Sequence, residues 1–331
     1  MTQSVWDSVV GQAKAVEQLH QLAVNHVHAY LFIGPEGCGK DEAARAFATQ
    51  LITGSDNATS READLIMRGS FSDVIEVLRE GAAVDKDEAE AIIRLATTTP
   101  TESKVKVVIV HEVHLMRDSA AARLLKTIEE PSEKVIFILL ADQLVPSLAT
   151  INSRCVVVQF AANNAYRERL LANDPQFAHR QEAFASIPYK LDGSGATVAL
   201  IVDEIFELIE QATVSLIDEQ KKELDELEAR VLLTGERGSG RKALQDRHKR
   251  QLRKFNTDEL RIGLSTIAGT YHSLIISETQ HPDEPKYHDA IHSIHKAMGS
   301  LGLNVNEELL LHSLFLHCPS LMMLSKVAAV N

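Results

Sequence analysis

Cysteine is scarce in this sequence: its 331 residues hold three, Cys38, Cys155 and Cys318, far apart in the chain. They cannot build a disulfide framework, and with no CxxC pair nothing seeds a zinc site. Long apolar runs are missing as well. The longest, Val135 to Ala141, is seven residues, a strand's length and far short of the roughly 20 needed to cross a bilayer. The opening Met1–Asp7 has neither the basic nor the apolar region of a signal peptide, so a cytoplasmic protein is expected. Positive charge is in deficit, with 34 Lys plus Arg against 46 Asp plus Glu and a formal net charge of -12. A chain this acidic does not hold nucleic acid by its overall field; it needs a local basic patch or a partner. Internal repeats and low-complexity tracts are also absent. With 45% hydrophobic and 24% charged residues, the composition excludes disordered, collagen-like and disulfide-scaffold classes. The length accommodates two domains.

The first part alternates short apolar runs with helical stretches. Strands are predicted at Ala29–Ile33, Val74–Val77, Val105–Val110, Val135–Leu140 and Val156–Val158. Helices between them include Asp41–Leu51, Asp87–Ala96 and Ser119–Glu129. Such alternation predicts an α/β domain over residues 1–160, with a largely parallel sheet covered by helices on both faces. After Phe160 the strand signal stops. Val198, Ile201, Val202, Ile205 and Ile209 fall at helical spacing, as do Leu260, Leu264, Ile267, Tyr271 and Leu274. An all-helical domain is therefore expected over residues 179–331, joined by a short connection at 161–178. Its breaks are Leu191–Gly195, Gly235–Gly240 and the Pro282/Pro285 segment.

One motif stands above the rest. Gly34-Pro35-Glu36-Gly37-Cys38-Gly39-Lys40 follows a predicted strand and opens a predicted helix. Its spacing is that of a phosphate-cradling loop, in which Gly34, Gly37 and Gly39 let backbone N–H groups face an anion and Lys40 meets the outer phosphates. The next residue should carry a magnesium-binding hydroxyl, and here it is Asp41. At the end of the run Val107–Val110, the magnesium-side aspartate is replaced by His111, while Glu112 keeps the water-activating position. Two positions serving one metal ion are lost together, which points away from ATP hydrolysis. Whether ATP or ADP still sits over Lys40 is left open. His111-Glu112-Val113-His114 lacks the spacing of a zincin helix and reads as a degenerate strand end.

Farther along come Ala122-Arg123-Leu124-Leu125-Lys126-Thr127-Ile128-Glu129-Glu130-Pro131 and Ser153-Arg154-Cys155. Together with Val5-Trp6-Asp7-Ser8-Val9-Val10-Gly11-Gln12 and His28–Pro35, in this order, the chain resembles the bacterial clamp-loader AAA+ subunits of DNA polymerase III. Arg247–Gln251 and Leu303–Leu309 narrow the resemblance to the delta-prime type, in its actinobacterial form. The resemblance implies an α/β AAA+ P-loop domain followed by a helical collar, in a hetero-oligomeric ring that loads the sliding clamp onto primed DNA. It implies gamma/tau motor subunits and a delta subunit as partners, and no membrane. It also implies that Arg154 acts in trans as an arginine finger on a neighbour's ATP, a device worth on the order of 10³–10⁵ in rate. The plainer reading gives Arg154 a strand-capping ion pair. The four-cysteine zinc module common in the family is absent, so zinc is not expected, and the lid that follows Ser153-Arg154-Cys155 is curtailed. An active AAA+ ATPase, as a motor subunit or another remodeller, is the alternative; a binding module for a different partner is the third. The eight positive residues from Arg237 to Lys254 read as a solvated helix face or ring interface, with DNA contact as the rival, because no aromatic residues are interleaved. Acidic Glu219–Glu228 reads as an exposed helix face.

Overall fold

The computed structural model describes residues 3–79, 83–130, 132, 134–162, 174–234, 240–277, 284–301 and 305–321. The chain divides into two compact units, 1–170 and 171–331. In the first unit, β1 (Ala29–Ile33), β2 (Val74–Val77), β3 (Lys106–Val110), β4 (Val135–Ala141) and β5 (Val156–Gln159) form one sheet in the order β2-β3-β4-β1-β5. All neighbouring pairs are parallel, with Leu31 opposite Leu139 and Val108 opposite Phe137. Every position of β1, β3 and β4 is buried, because parallel strands in the middle of a sheet are covered on both faces. Side chains alternate between two cores. Tyr30, Phe32, Val107 and Ile138 pack with Leu19 of α1 (Ala13–Val24), Phe47 of α2 (Lys40–Thr53) and Ile66 of α3 (Arg61–Met67). Leu31, Val108 and Leu139 face the other way, onto Ile92 of α4 (Lys86–Thr97) and Leu124 of α5 (Asp118–Glu129).

Local chemistry sets the element ends. The Asp85 side chain accepts from the Asp87 and Glu88 N–H groups while Glu88 reaches back to the Asp85 N–H, a reciprocal cap that starts α4. Helix α2 stops at Gly54, whose φ of 70° favours glycine. Helices α1 and α3 lie outside the sequence expectation: Gln12 at the start of α1 makes no capping bond, and α3 is only seven residues long. Asp73, just before β2, fixes the loop that leads into β3. Its buried carboxylate accepts from the Thr101, Glu102 and Ser103 N–H groups and from the Thr101 and Ser103 hydroxyls.

The second unit is entirely helical among the described residues: α7 (Pro175–Lys190), α8 (Gly195–Thr234), α9 (Gly240–Ser277), α10 (Glu284–Leu301) and α11 (Glu307–His317). The parallel sheet and the helical unit are the architecture expected from the sequence. Helix α7 starts at Pro175, ahead of the expected His179, because Asp174 caps the Gln176 and Phe177 N–H groups and proline suits the first helical position. Val198, Ile201, Val202, Ile205, Ile209, Leu260, Leu264, Ile267 and Tyr271 are buried in one core, with Leu274 half-buried against it. Arg180 of α7 and Glu259 of α9 form a buried two-bond ion pair at 3.0 and 3.2 Å. Helices α8 and α9 run on past this core as an antiparallel pair. Arg247 and His248 bond Glu223, and Arg241 lies 3.2 Å from Glu228. The acidic and basic stretches, read from the sequence as separate faces, thus meet along one hairpin at Glu223 and Glu228. Between residues 210 and 259, Thr213, His248 and Glu259 are the only fully buried side chains among the described residues. The expected connection at 161–178 lies outside the described residues over 163–173, as do Arg237–Ser239 and Leu303-Asn304. Among the described residues no helix is long and apolar enough to cross a membrane.

Two substitutions test this packing. Burial alone would raise the Asp73 carboxyl, but its five donors hold it at about 2 against an ordinary 3.8. A folded value below the unfolded one stabilises at higher pH, so this contribution is lost as the pH falls from about 4 to about 2. Asp73→Asn is expected to cost about 2 kcal/mol in urea unfolding at neutral pH and to flatten that part of the acid dependence. Gly263 of α9 faces the Phe184 ring, and a Cβ there would lie 2.3 Å from it. Gly263→Ala, which gains about 1 kcal/mol in an open helix, is expected instead to destabilise by about 1–3 kcal/mol.

Candidate functional site

The phosphate loop is built by the end of β1 and the start of α2. The Gly34 N–H bonds the Ala141 carbonyl at 3.1 Å. A side chain at Gly34 is excluded, since its Cβ would stand 2.6 Å from that of Phe160. Gly37 and Gly39 have φ of 71° and 90°, the left-handed conformations that curl backbone N–H groups into an anion-binding nest. Gly34, Gly37, Gly39 and Lys40 therefore come together where the sequence places them. Gln12 braces the loop. Its amide donates to the Cys38 and Ala161 carbonyls at 2.9 and 2.7 Å and accepts from the Ala161 N–H at 3.0 Å.

The charged groups around this loop are engaged with one another. Lys40 Nζ lies 2.8 Å from Asp142 Oδ1 and donates to the Pro35 carbonyl at 3.3 Å. Burial would lower the affinity of the Lys40 amine for its proton, but Asp142 and Asp41 outweigh it and raise it. Asp142 directly follows β4 and donates its own N–H to His114 Nδ1 at 3.2 Å. Burial pushes the His114 imidazole down, against the opposing pull of Asp142, in the same sense as the Asp142 N–H bond, which makes Nδ1 an acceptor. On the other side, His111 Nδ1 lies 3.8 Å from Asp41, and its Nε2 bonds Glu76 at 3.2 Å. Glu76, in β2, accepts two bonds from Arg45 of α2 at 2.6 and 2.9 Å. Burial opposes the charge on Glu76, but Arg45 and His111 hold its carboxyl well below the usual carboxylate range. Glu112 pairs with Arg79 at 2.7 Å and, among the described residues, is the only non-glycine residue with positive φ, at 51°.

These residues do not fit a magnesium–nucleotide group. The position that should offer a hydroxyl faces an imidazole, and that imidazole is shared with Glu76. Among the described residues no group of three or more His, Cys, Asp and Glu side chains is placed to hold a metal ion. Arg154 stands elsewhere. It follows α6 (Ala149–Asn152) and precedes β5, at the amino edge of the parallel sheet, whereas the phosphate loop leaves the carboxyl edge. Its guanidinium pairs with Glu129 and donates to the Thr150 carbonyl at 3.1 Å and Ser153 Oγ at 3.0 Å, and the side chain as a whole is 41% exposed. The structure does not bring it to Lys40 of its own chain.

Sequence reasoning missed Gln12, Arg45, Glu76, Arg79 and Asp142. Glu76 was visible as the one charge inside an apolar strand, and Asp142 as the first polar residue after seven apolar ones. The pair makes a direct test. Arg45→Met leaves the Glu76 carboxylate, only 10% exposed, without its main counter-charge. A loss of about 3 kcal/mol in chemical denaturation is expected, and adding Glu76→Gln recovers at least half of it.

Residues 11–164 match the family described as DNA polymerase III, delta subunit. Among curated relatives, DNA polymerase III subunit tau of Bacillus subtilis is 37% identical over 164 residues, 45% of this chain and 28% of that protein. DNA polymerase III subunit delta' of the same organism is 32% identical over 153 residues, 44% of this chain and 46% of its own length. Subunit delta' of Pseudomonas aeruginosa is 30% identical over 161 residues, 46% of each. The chain thus spans less than half the length of these relatives. A solved structure of a DNA polymerase III gamma subunit-related protein from Thermotoga maritima superposes with a TM-score of 0.48 at 17% identity, over 92% of this chain and 98% of that one. Over its N-terminal unit, the chain is thus similar to the delta' and tau subunits of DNA polymerase III.

Proposed function

We propose that this chain is a delta-prime-type subunit of a cytoplasmic clamp loader that does not itself hydrolyse ATP. In this reading it completes a hetero-oligomeric ring with gamma/tau motor subunits and a delta subunit. The ring places the sliding clamp on primed DNA, and this chain offers Arg154 to the ATP of a neighbouring motor subunit. The observation that carries the reading is the contact of Asp41 with His111 at 3.8 Å, where a hydroxyl and a carboxylate would otherwise hold magnesium. Two further features support it. Glu112, the water-activating position, is held by Arg79, and Arg154 lies exposed at the opposite edge of the sheet, as a group acting on another chain must. The rival, an active motor subunit, draws on the 37% identity with a tau chain.

DNA- and clamp-stimulated ATP hydrolysis by reconstituted motor and delta subunits separates the two. This chain is supplied as wild type, Lys40→Ala or Arg154→Ala. Wild type and Lys40→Ala are expected to stimulate equally, while Arg154→Ala lowers the rate at its own interface on the order of 10³. Loss on Lys40→Ala would instead favour the motor reading. No difference among the three would remove the trans role of Arg154.

A further inference from the structure

We propose that Asp142 is a built-in anion occupying Lys40, and that removing this one carboxylate gives the phosphate loop of this chain affinity for the polyphosphate of a nucleotide. The inference deepens the silent-subunit reading and rests on it: it names what keeps the site silent.

The receiving half of the site is intact. Gly37 and Gly39 hold the left-handed conformations that turn N–H groups inward. Helix α2 begins at Lys40 behind Gly39, which has no side chain to cap its first N–H groups. Backbone donors, a helix N-terminus and a glycine-rich turn are therefore in place. What the site lacks is an uncommitted cation. The Lys40 side chain is 8% exposed, so its ammonium requires a counter-charge where it stands. Asp142 supplies one at 2.8 Å, and the Pro35 carbonyl takes a second bond at 3.3 Å.

An incoming phosphate would have to displace Asp142 and then sit beside it. Displacement is opposed by how Asp142 is held. It leaves the end of β4, strand-paired on both sides, and its N–H is fixed to His114 Nδ1 at 3.2 Å. The His114 Nε2 faces Asp142 Oδ2 at 3.5 Å, so the carboxylate is oriented toward Lys40 from behind. A displaced Asp142 would remain as an unpaired negative charge against a polyanion, with Asp41 close by on α2. The carboxylate thus blocks twice, by engaging the lysine and by repelling the ligand. Asparagine at the same position keeps the size and a hydrogen-bonding group for His114, and loses only the charge.

The test uses the full chain and titration with a fluorescent N-methylanthraniloyl ATP without magnesium, with inorganic tripolyphosphate as competitor. Asp142→Asn is expected to bind roughly 10- to 100-fold more tightly than wild type. Tripolyphosphate should compete, and Lys40→Ala in the same chain should abolish the gain. Equal affinities of wild type and Asp142→Asn would overturn the proposal, as would a gain that survives Lys40→Ala. Circular dichroism melting checks that each variant folds. Asp142→Ser, smaller and equally uncharged, must show the same gain should Asp142→Asn fold poorly, and no gain in a folded variant of either kind overturns it. The titration reads binding by this chain alone, so its failure leaves the trans role of Arg154 standing. That role fails only in the reconstituted hydrolysis assay.

Discussion

A carboxylate set in a strand beneath a layer of helix has to be neutralised where it stands, and Glu76 imposes that demand on the N-terminal unit. Arg45 answers it from α2 with two bonds, and His111 answers from the end of β3. His111 in turn faces Asp41, which lies one helical turn before Arg45. The four residues close a circuit from α2 to β2 to β3 and back to α2. The first turn of α2 carries Lys40 and Asp41, so the same circuit fixes where the phosphate loop ends. The charges of this site are thus committed mainly to one another.

The parallel sheet separates two chemistries. Open α/β sheets gather ligands at the carboxyl ends of their strands, and there this chain places its glycine-rich turn, Lys40, His111, Glu112 and Asp142. The amino end carries Arg154, tethered by Glu129 yet exposed. No single ligand need see both edges. One edge pairs its charges within the site, and the other carries a guanidinium that is bonded to Glu129, Thr150 and Ser153 on a partly exposed side chain. This polarity comes from strand direction alone, since β1 and β5 run parallel with Tyr30 beside Val156.

Much of this was legible in the sequence because it rests on local signals. The five strands were bounded by apolar runs, and the loop from Gly34 to Lys40 by glycine spacing. The core of the helical unit was legible as two rows, from Val198 to Ile209 and from Leu260 to Tyr271. What escaped was pairing at a distance. Arg45 and Glu76 are 31 positions apart, and Arg79 and Glu112 are 33; no local pattern says which cation meets which carboxylate. Helix α1 escaped for a different reason, since Gln12 caps nothing and is occupied with the loop at Cys38. The acidic and basic stretches of α8 and α9 were read correctly in sign, but not as partners, because helical register across a hairpin is a tertiary property.

That hairpin carries a thermodynamic consequence. Helices α8 and α9, 40 and 38 residues long, are each about 60 Å from end to end, yet their shared apolar core reaches only from Val198 to Ile209 and from Leu260 to Tyr271. Beyond it, fully buried positions among the described residues are scarce and polar, and half-buried apolar residues such as Leu216, Leu224, Leu227 and Leu252 share the two helices with ion pairs such as Glu223 with Arg247. Pairs of that exposure contribute little each and weaken with salt. With so few fully buried positions, the outer hairpin is expected to open at a lower free energy than the bundle it extends from.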